Sequence, residues 1–199
     1  MTGVLPNQQI SQMIEDGRIQ ANPPVTPAQI QPASLDLRLG NEAIRVRASF
    51  LAGHGKSVRS RLNEFEMHVL AIPEDGAVLE KGAVYVVPLM ENLALPEDVS
   101  ATANAKSSTG RLDLLTRIIT DDGVEFDRIP AGYNGPLFAE ICPRSFSVLV
   151  RPGMSLNQIR FATGNAVLDD AALRALHDEA PLVDGEAVID DGLGFSVDL

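Results

Sequence analysis

The feature that most constrains this chain is a change of hydrophobic period after its first thirty residues. In "ASLDLRL", Leu35, Leu37 and Leu39 fall on one face, with Ser34, Asp36 and Arg38 on the other. That two-residue alternation predicts a half-buried strand. Further runs of the same kind follow at Ala43–Val46, Met67–Ile72, Ala77–Leu79, Ala83–Leu89, Pro136–Ile141 and Phe146–Val150. They are separated by turn-forming residues: "PEDG" at Pro73–Gly76, Lys81-Gly82, "GYNG" at Gly132–Gly135 and "RPG" at Arg151–Gly153. Many short strands with this punctuation predict a mainly all-β sandwich or barrel with few helices. A short helix is expected over Asn7–Asp16, where Ile10, Met13 and Ile14 share a face and Gly17 supplies the stop. The prolines of "ANPPVTP" then break regular structure. One later helix is expected over Leu168–His177, capped by Asp169 or Asp170.

A chain of 199 residues, 45% of them hydrophobic, can fill one domain, or one domain and a piece of another. Sixteen basic side chains against 27 acidic ones give a net charge of −11, which argues against a nucleic-acid or anionic-membrane binder. The charge is uneven, since nine acids follow Gly164 against Arg174 alone. Residues 166–199 therefore read as an acidic linker, and residues 1–165 as the β domain. The single cysteine, Cys142, rules out an internal disulfide and suits a reducing cytoplasm, where it serves as a small apolar residue. No stretch reaches the ~18 apolar residues of a membrane span. The start "MTGVLPNQQISQ" lacks the basic and apolar regions of a signal peptide.

Several chemistries lack their signatures. His54, His68 and His177 are isolated, and neither His-Glu-x-x-His nor paired cysteines occur. The zinc deaminase pattern, the Gly-x-Ser-x-Gly elbow and the common nucleotide-binding glycine loops are absent too. What remains is carboxylates, arginines and backbone donors. The turn "KSSTGR" (Lys106–Arg111) offers hydroxyls, N–H groups and two cations, as a polyphosphate requires. A capped turn leading into the apolar "LDLL" is the alternative. In the strand Pro136–Ile141, Leu137, Ala139 and Ile141 share one face and leave Phe138 and Glu140 on the other. A glutamate in an apolar strand faces desolvation unless a cation compensates, and a desolvated carboxyl suits a general base that must later act as an acid. Arg128 is the candidate cation, and a purely structural Glu–Arg pair bridging two strands is the competing reading.

"IQPASLDLRLG" (Ile30–Gly40), "KSSTGRLDL" (Lys106–Leu114), "GYNGPLFAEI" (Gly132–Ile141) and "VRPGMSLNQIRF" (Val150–Phe161) occur in order. In that order and spacing the chain resembles the 2′-deoxycytidine 5′-triphosphate (dCTP) deaminases of the dUTPase-like superfamily, over roughly residues 7–162. The resemblance implies a distorted β-barrel or jelly roll and a homotrimer, or a pseudo-trimer of tandem copies, with sites between subunits. It implies hydrolytic loss of the cytosine amino group, giving dUTP, with Mg²⁺ accompanying the triphosphate and no catalytic metal. dTTP is a candidate inhibitor. By position, Glu140 matches the catalytic glutamate, Ser107 a water-placing serine and Ser108 a phosphate-binding serine. Arg111 and Arg128 match essential arginines, Lys106 a phosphate-turn cation, and Tyr133 an aromatic beside the base pocket. Backbone groups of Phe138 and Ala139 would read the base edge.

Three departures stand out. Lys106 replaces the family's usual arginine and loses its bidentate fork. Pro130 stands where an aspartate meets the sugar, and the C-terminal segment that closes over the phosphates is not recognisable after Phe161. These departures, with "FSVDL" at Phe195–Leu199 echoing "ASLDL" at Ala33–Leu37, suit the first half of a tandem-duplicated deaminase and the possible start of a second copy. The alternatives are a catalytically silent nucleotide-binding or structural half-module, and a dUTP pyrophosphatase or bifunctional enzyme using Asp127 or Glu125.

Overall fold

The computed structural model describes residues 2–165 and 167–196. The chain divides into two compact units, Met1–Gly164 and Asn165–Leu199. In the first, β1 (Gly3–Val4) precedes helix α1 (Asn7–Glu15), which buries Ile10 and Met13 as its spacing predicts. Next come β2 (Ile19–Ala21), a 3-10 turn at Pro27–Gln29, β3 (Ile30–Gln31), β4 (Ser34–Arg38) and β5 (Glu42–Val46). Helix α2 (Val58–Phe65) leads directly into β6 (Glu66–Ala71), followed by β7 (Ala77–Leu79), β8 (Val84–Ala94) and β9 (Val99–Ala105). The one-turn helix α3 (Ser107–Gly110) is followed by β10 (Leu114–Thr120), β11 (Arg128–Ile129), β12 (Asn134–Pro143), β13 (Val148–Val150) and β14 (Ser155–Thr163).

The strands form two six-stranded antiparallel sheets and a small β13–β7 pair. The first sheet runs β11-β9-β14-β4-β3 with β1 on β14, and the second β10-β12-β8-β5-β6 with β2 on β8. The mainly all-β expectation holds. Seven strands that the sequence reading passed over, the long β9, β10 and β14 and the short β1, β2, β3 and β11, complete the sheets, and α2 and α3 add to the expected helices.

The main core lies between the sheets, where Leu35, Leu37, Val87, Leu137, Ala139, Ile141, Ile159 and Phe161 are fully buried. A second apolar cluster covers the outer face of the second sheet. There Ile44, Val46, Val86, Ile119 and Phe138 pack under Phe50, Ala52 and the Val58 and Leu62 face of α2. The alternation along β12 therefore reads correctly, with Leu137, Ala139 and Ile141 inward and Phe138 on the opposite cluster. Gly40 is required where β4 turns toward the second sheet, because a Cβ there would lie 2.7 Å from the Pro88 carbonyl oxygen.

β4 is not half-buried, as its alternation suggests, but buried on both faces. Arg38 meets Glu91 of β8, donating from Nε to Oε1 at 2.8 Å and from its backbone N–H to Oε2 at 2.8 Å. Gln29 donates to the same Oε1, and the Arg38 guanidinium also reaches the carbonyls of Pro23 and Pro24. A fully buried carboxylate thus has its charge and hydrogen bonds answered across the two sheets.

In the second unit, α4 (Asp170–Glu179) is capped by the Asp169 carboxylate, which accepts from the Ala172 N–H at 2.8 Å. Of the "FSVDL" echo, Val197, Asp198 and Leu199 lie outside the described residues.

Candidate active site

Glu140 is 2% exposed and sits on the outer face of β12, flanked on neighbouring strands by Val86 of β8 and Arg117 of β10. Arg117 is its direct cross-strand partner. The guanidinium donates to Glu140 Oε1 from Nη2 at 2.5 Å and from Nε at 3.2 Å. Oε2 is buried and has no hydrogen-bond partner among the described residues. Arg117 is held in turn. Its guanidinium carbon lies 3.6 Å from the Phe126 ring centroid, and Nη2 donates to Ser49 Oγ at 3.1 Å.

Ser49 belongs to a covering segment, residues 47–57, that is clipped to the turn after β10. Gly53 N–H donates to the Gly123 carbonyl at 2.9 Å and Gly55 N–H to the Asp122 carboxylate at 2.6 Å. Asp122 N–H donates to the Lys56 carbonyl at 2.9 Å, and the Asp121 carboxylate receives the first N–H of α2, from Val58, at 2.7 Å.

The candidate cation for Glu140 was misplaced. Arg128 lies on β11 in the other sheet, opposite Thr102 of β9, and pairs at the surface with Glu125 at 3.2 Å. Closeness in sequence failed because β11 and β12 join different sheets. The bridging Glu–Arg pair does form, with Arg117. An arginine within the apolar run "LLTRIIT" was its signal in the sequence.

The turn before β10 is anchored by Thr109, 3% exposed, whose hydroxyl donates to the Leu156 carbonyl at 3.0 Å. Ser107, Ser108 and Arg111 remain exposed. Arg111 contacts only the Ser107 carbonyl, at 3.4 Å, and forms no ion pair among the described residues. Lys106 differs, because its ammonium is engaged by the Asp36 carboxylate of β4. The turn feeds β10 three residues before Arg117, which ties its position to that of Glu140.

Tyr133 is 8% exposed. It is buried in the main core, its hydroxyl donates to the Pro136 carbonyl at 2.6 Å, and it accepts from the Asp121 N–H at 3.2 Å. Burial, with the Asp121 and Asp122 charges, holds its ionisation well above the usual phenol range, against a lowering by the Asp121 N–H. Phe138 and Ala139 are wholly buried in the interior of a strand paired on both sides. Asp127 accepts the Ile118 N–H at 2.8 Å. Burial raises its carboxyl above the ordinary 3.8, opposed by that N–H and by the Arg117 charge.

A separate cleft of about 500 Å³ is lined by His54, Thr102, Glu125, Arg128, Ile129 and Pro130, and Glu140 does not line it. Among the described residues no group of three or more His, Cys, Asp or Glu side chains could hold a metal ion. Among the described residues no helix is long and apolar enough to cross a membrane.

Residues 1–165 match the sequence family of the 2′-deoxycytidine 5′-triphosphate deaminase N-terminal domain. The chain belongs to the dCTP deaminase family. It is 31% identical over 167 residues to a "dCTP deaminase, dUMP-forming" of Methanothermobacter thermautotrophicus, covering 80% of this chain and 79% of that protein. A relative of the same description from Methanosphaera stadtmanae is 27% identical over 169 residues, covering 80% and 79%. The solved dCTP deaminase of Agrobacterium tumefaciens is 51% identical with a TM-score of 0.86, covering 91% of this chain. The chain spans only 55% of the length of that protein. Within the dCTP deaminase frame, Arg117, Asp36 and the covering segment are the features that sequence reasoning missed.

Proposed function

We propose that the chain deaminates dCTP to dUTP and ammonia, with Glu140 as general base and then general acid. The observation that carries this reading is a carboxylate set among Val86, Ile119 and Phe138, one oxygen fixed by Arg117 and the other without a partner among the described residues. Such an oxygen can take a proton from water as that water attacks C4 of the cytosine. The same proton then goes to the exocyclic nitrogen, the hydroxyl proton passes to N3, which took up the C4–N3 double-bond electrons in the attack, and the C4–N bond to the amino group breaks, so that ammonia leaves as the new carbonyl forms. Family membership and the dCTP deaminase relatives support the assignment.

On this reading Ser107 places the water, and Ser108 and Arg111 take phosphate oxygens, with Mg²⁺ arriving on the triphosphate. Lys106 contributes less, since Asp36 already balances its charge. Arg128 serves the cleft that it lines, Tyr133 acts through the Pro136 backbone, and Phe138 and Ala139 present the base-reading strand. A trimer, or a pseudo-trimer of tandem copies, working in the cytoplasm belongs to the same proposal. Turnover requires residues 47–57 to give way, because they enclose Glu140.

That enclosure favours a second reading, a nucleotide-binding copy without turnover. Incubation with dCTP and Mg²⁺, with chromatography of the nucleotides and equilibrium dialysis in parallel, separates the two. Formation of dUTP supports the deaminase. Formation of dUMP adds a pyrophosphatase step and directs attention to Asp127 and Glu125. Binding without turnover supports the silent copy, and neither binding nor turnover defeats both.

A further inference from the structure

We propose that Arg117 is a positioning residue that divides the work between the two oxygens of Glu140. An arginine facing a carboxylate commonly engages both oxygens with a two-pronged fork. Here Nη2 and Nε converge on Oε1 alone, and Oε2 is left buried and without a partner among the described residues. The pair is therefore asymmetric by construction: Oε1 anchors the carboxylate and Oε2 is the atom that exchanges protons.

The anchor is itself fixed from three sides. The guanidinium lies over Phe126 at 3.6 Å, its Nη2 reaches Ser49 Oγ at 3.1 Å, and its backbone is held in the β10–β12 ladder opposite Glu140. With the guanidinium so fixed, the carboxylate is held in one orientation that leaves the buried Oε2 free of hydrogen bonds among the described residues. A lysine would keep the charge but present neither a flat face to Phe126 nor two convergent N–H groups. Arg117 touches no substrate in this scheme and acts only through Glu140. The proposal rests on the deaminase reading.

The test is steady-state kinetics on dCTP for the parent chain, Arg117→Ala, Arg117→Lys and Glu140→Gln, with melting curves for each. Arg117→Ala should lower kcat about 100-fold, the scale of a misplaced catalytic group, and leave KM within about threefold. Arg117→Lys should stay at least about tenfold below the parent. Methylguanidinium added to Arg117→Ala should restore part of kcat but do nothing for Glu140→Gln. If Arg117→Ala does not fold, Arg117→Lys carries the measurement. A parent-like kcat in either folded variant, or a loss confined to KM, overturns the positioning role while the deaminase reading stands. Absence of turnover in the parent itself removes the deaminase reading, and the role of Arg117 with it.

Discussion

Arg117 and Glu140 stand directly opposite each other on neighbouring antiparallel strands, joined through a single carboxylate oxygen, with contacts of 2.5 and 3.2 Å. Because the pair lies on the outer face of the second sheet, it is shielded by the covering segment and not by the main core.

Glu140→Gln tests the proton-transfer role with little change of shape. The amide can still accept from Arg117 through its oxygen but cannot exchange a proton with water. Deamination should fall by at least about 100-fold, while dCTP binding, followed by equilibrium dialysis, stays within a few-fold of the parent. Comparable turnover in mutant and parent would remove Glu140 from the mechanism.

Arg111→Ala should weaken triphosphate binding by about 1.5–3 kcal/mol, the range of a charge-assisted hydrogen bond. Its guanidinium is exposed and meets no competing carboxylate among the described residues, unlike Lys106, which Asp36 already holds. Titration calorimetry with dCTP and Mg²⁺ gives the number directly, and an unchanged dissociation constant would sink the phosphate-cradle reading.

Glu91→Ala should destabilise the fold by about 3–5 kcal/mol, because it strands the buried Arg38 charge and removes one of the two acceptors of the Gln29 amide. Urea unfolding measures this, and a midpoint unchanged from the parent would show that water answers the charge instead.

Asp127 makes stability depend on pH in a definite direction. Its folded-state carboxyl titrates above the ordinary 3.8, chiefly through burial, so the folded chain keeps a proton there that the unfolded chain has already released. The stability from this group is complete below 3.8 and is lost as pH rises through the higher folded value. Asp127→Asn keeps an acceptor for the Ile118 N–H and should flatten the fall in urea midpoint just above pH 3.8. A slope identical to the parent's would contradict it.

The sequence made the alternation of β12 legible, and with it the isolation of Glu140 from the main core, because a two-residue period needs no knowledge of neighbours. It did not reveal the partner of Glu140. Which arginine faces it depends on which strands are adjacent, a long-range property that local pattern does not encode. β10 was overlooked because its apolar run follows closely on a polar turn. The reading of β4 failed for a related reason. Its polar face looks solvated until Glu91, 53 residues beyond Arg38, is brought alongside. Tyr133 lies in a segment rich in glycine and proline that reads as an exposed loop, yet its ring fills the core and its hydroxyl bonds the chain three residues on.

The buried set of Gln29, Arg38 and Glu91 also bears on how such a chain can change over generations. Neither Arg38 nor Glu91 can be replaced alone without stranding a charge in the interior, and loss of Gln29 takes a donor from both Glu91 and the Asp36 carbonyl. The apolar positions around them can drift singly, a methyl group at a time. These three are expected to mutate together or not at all, so that across relatives their identities should covary as a unit, a signature that an alignment of homologous chains would make visible.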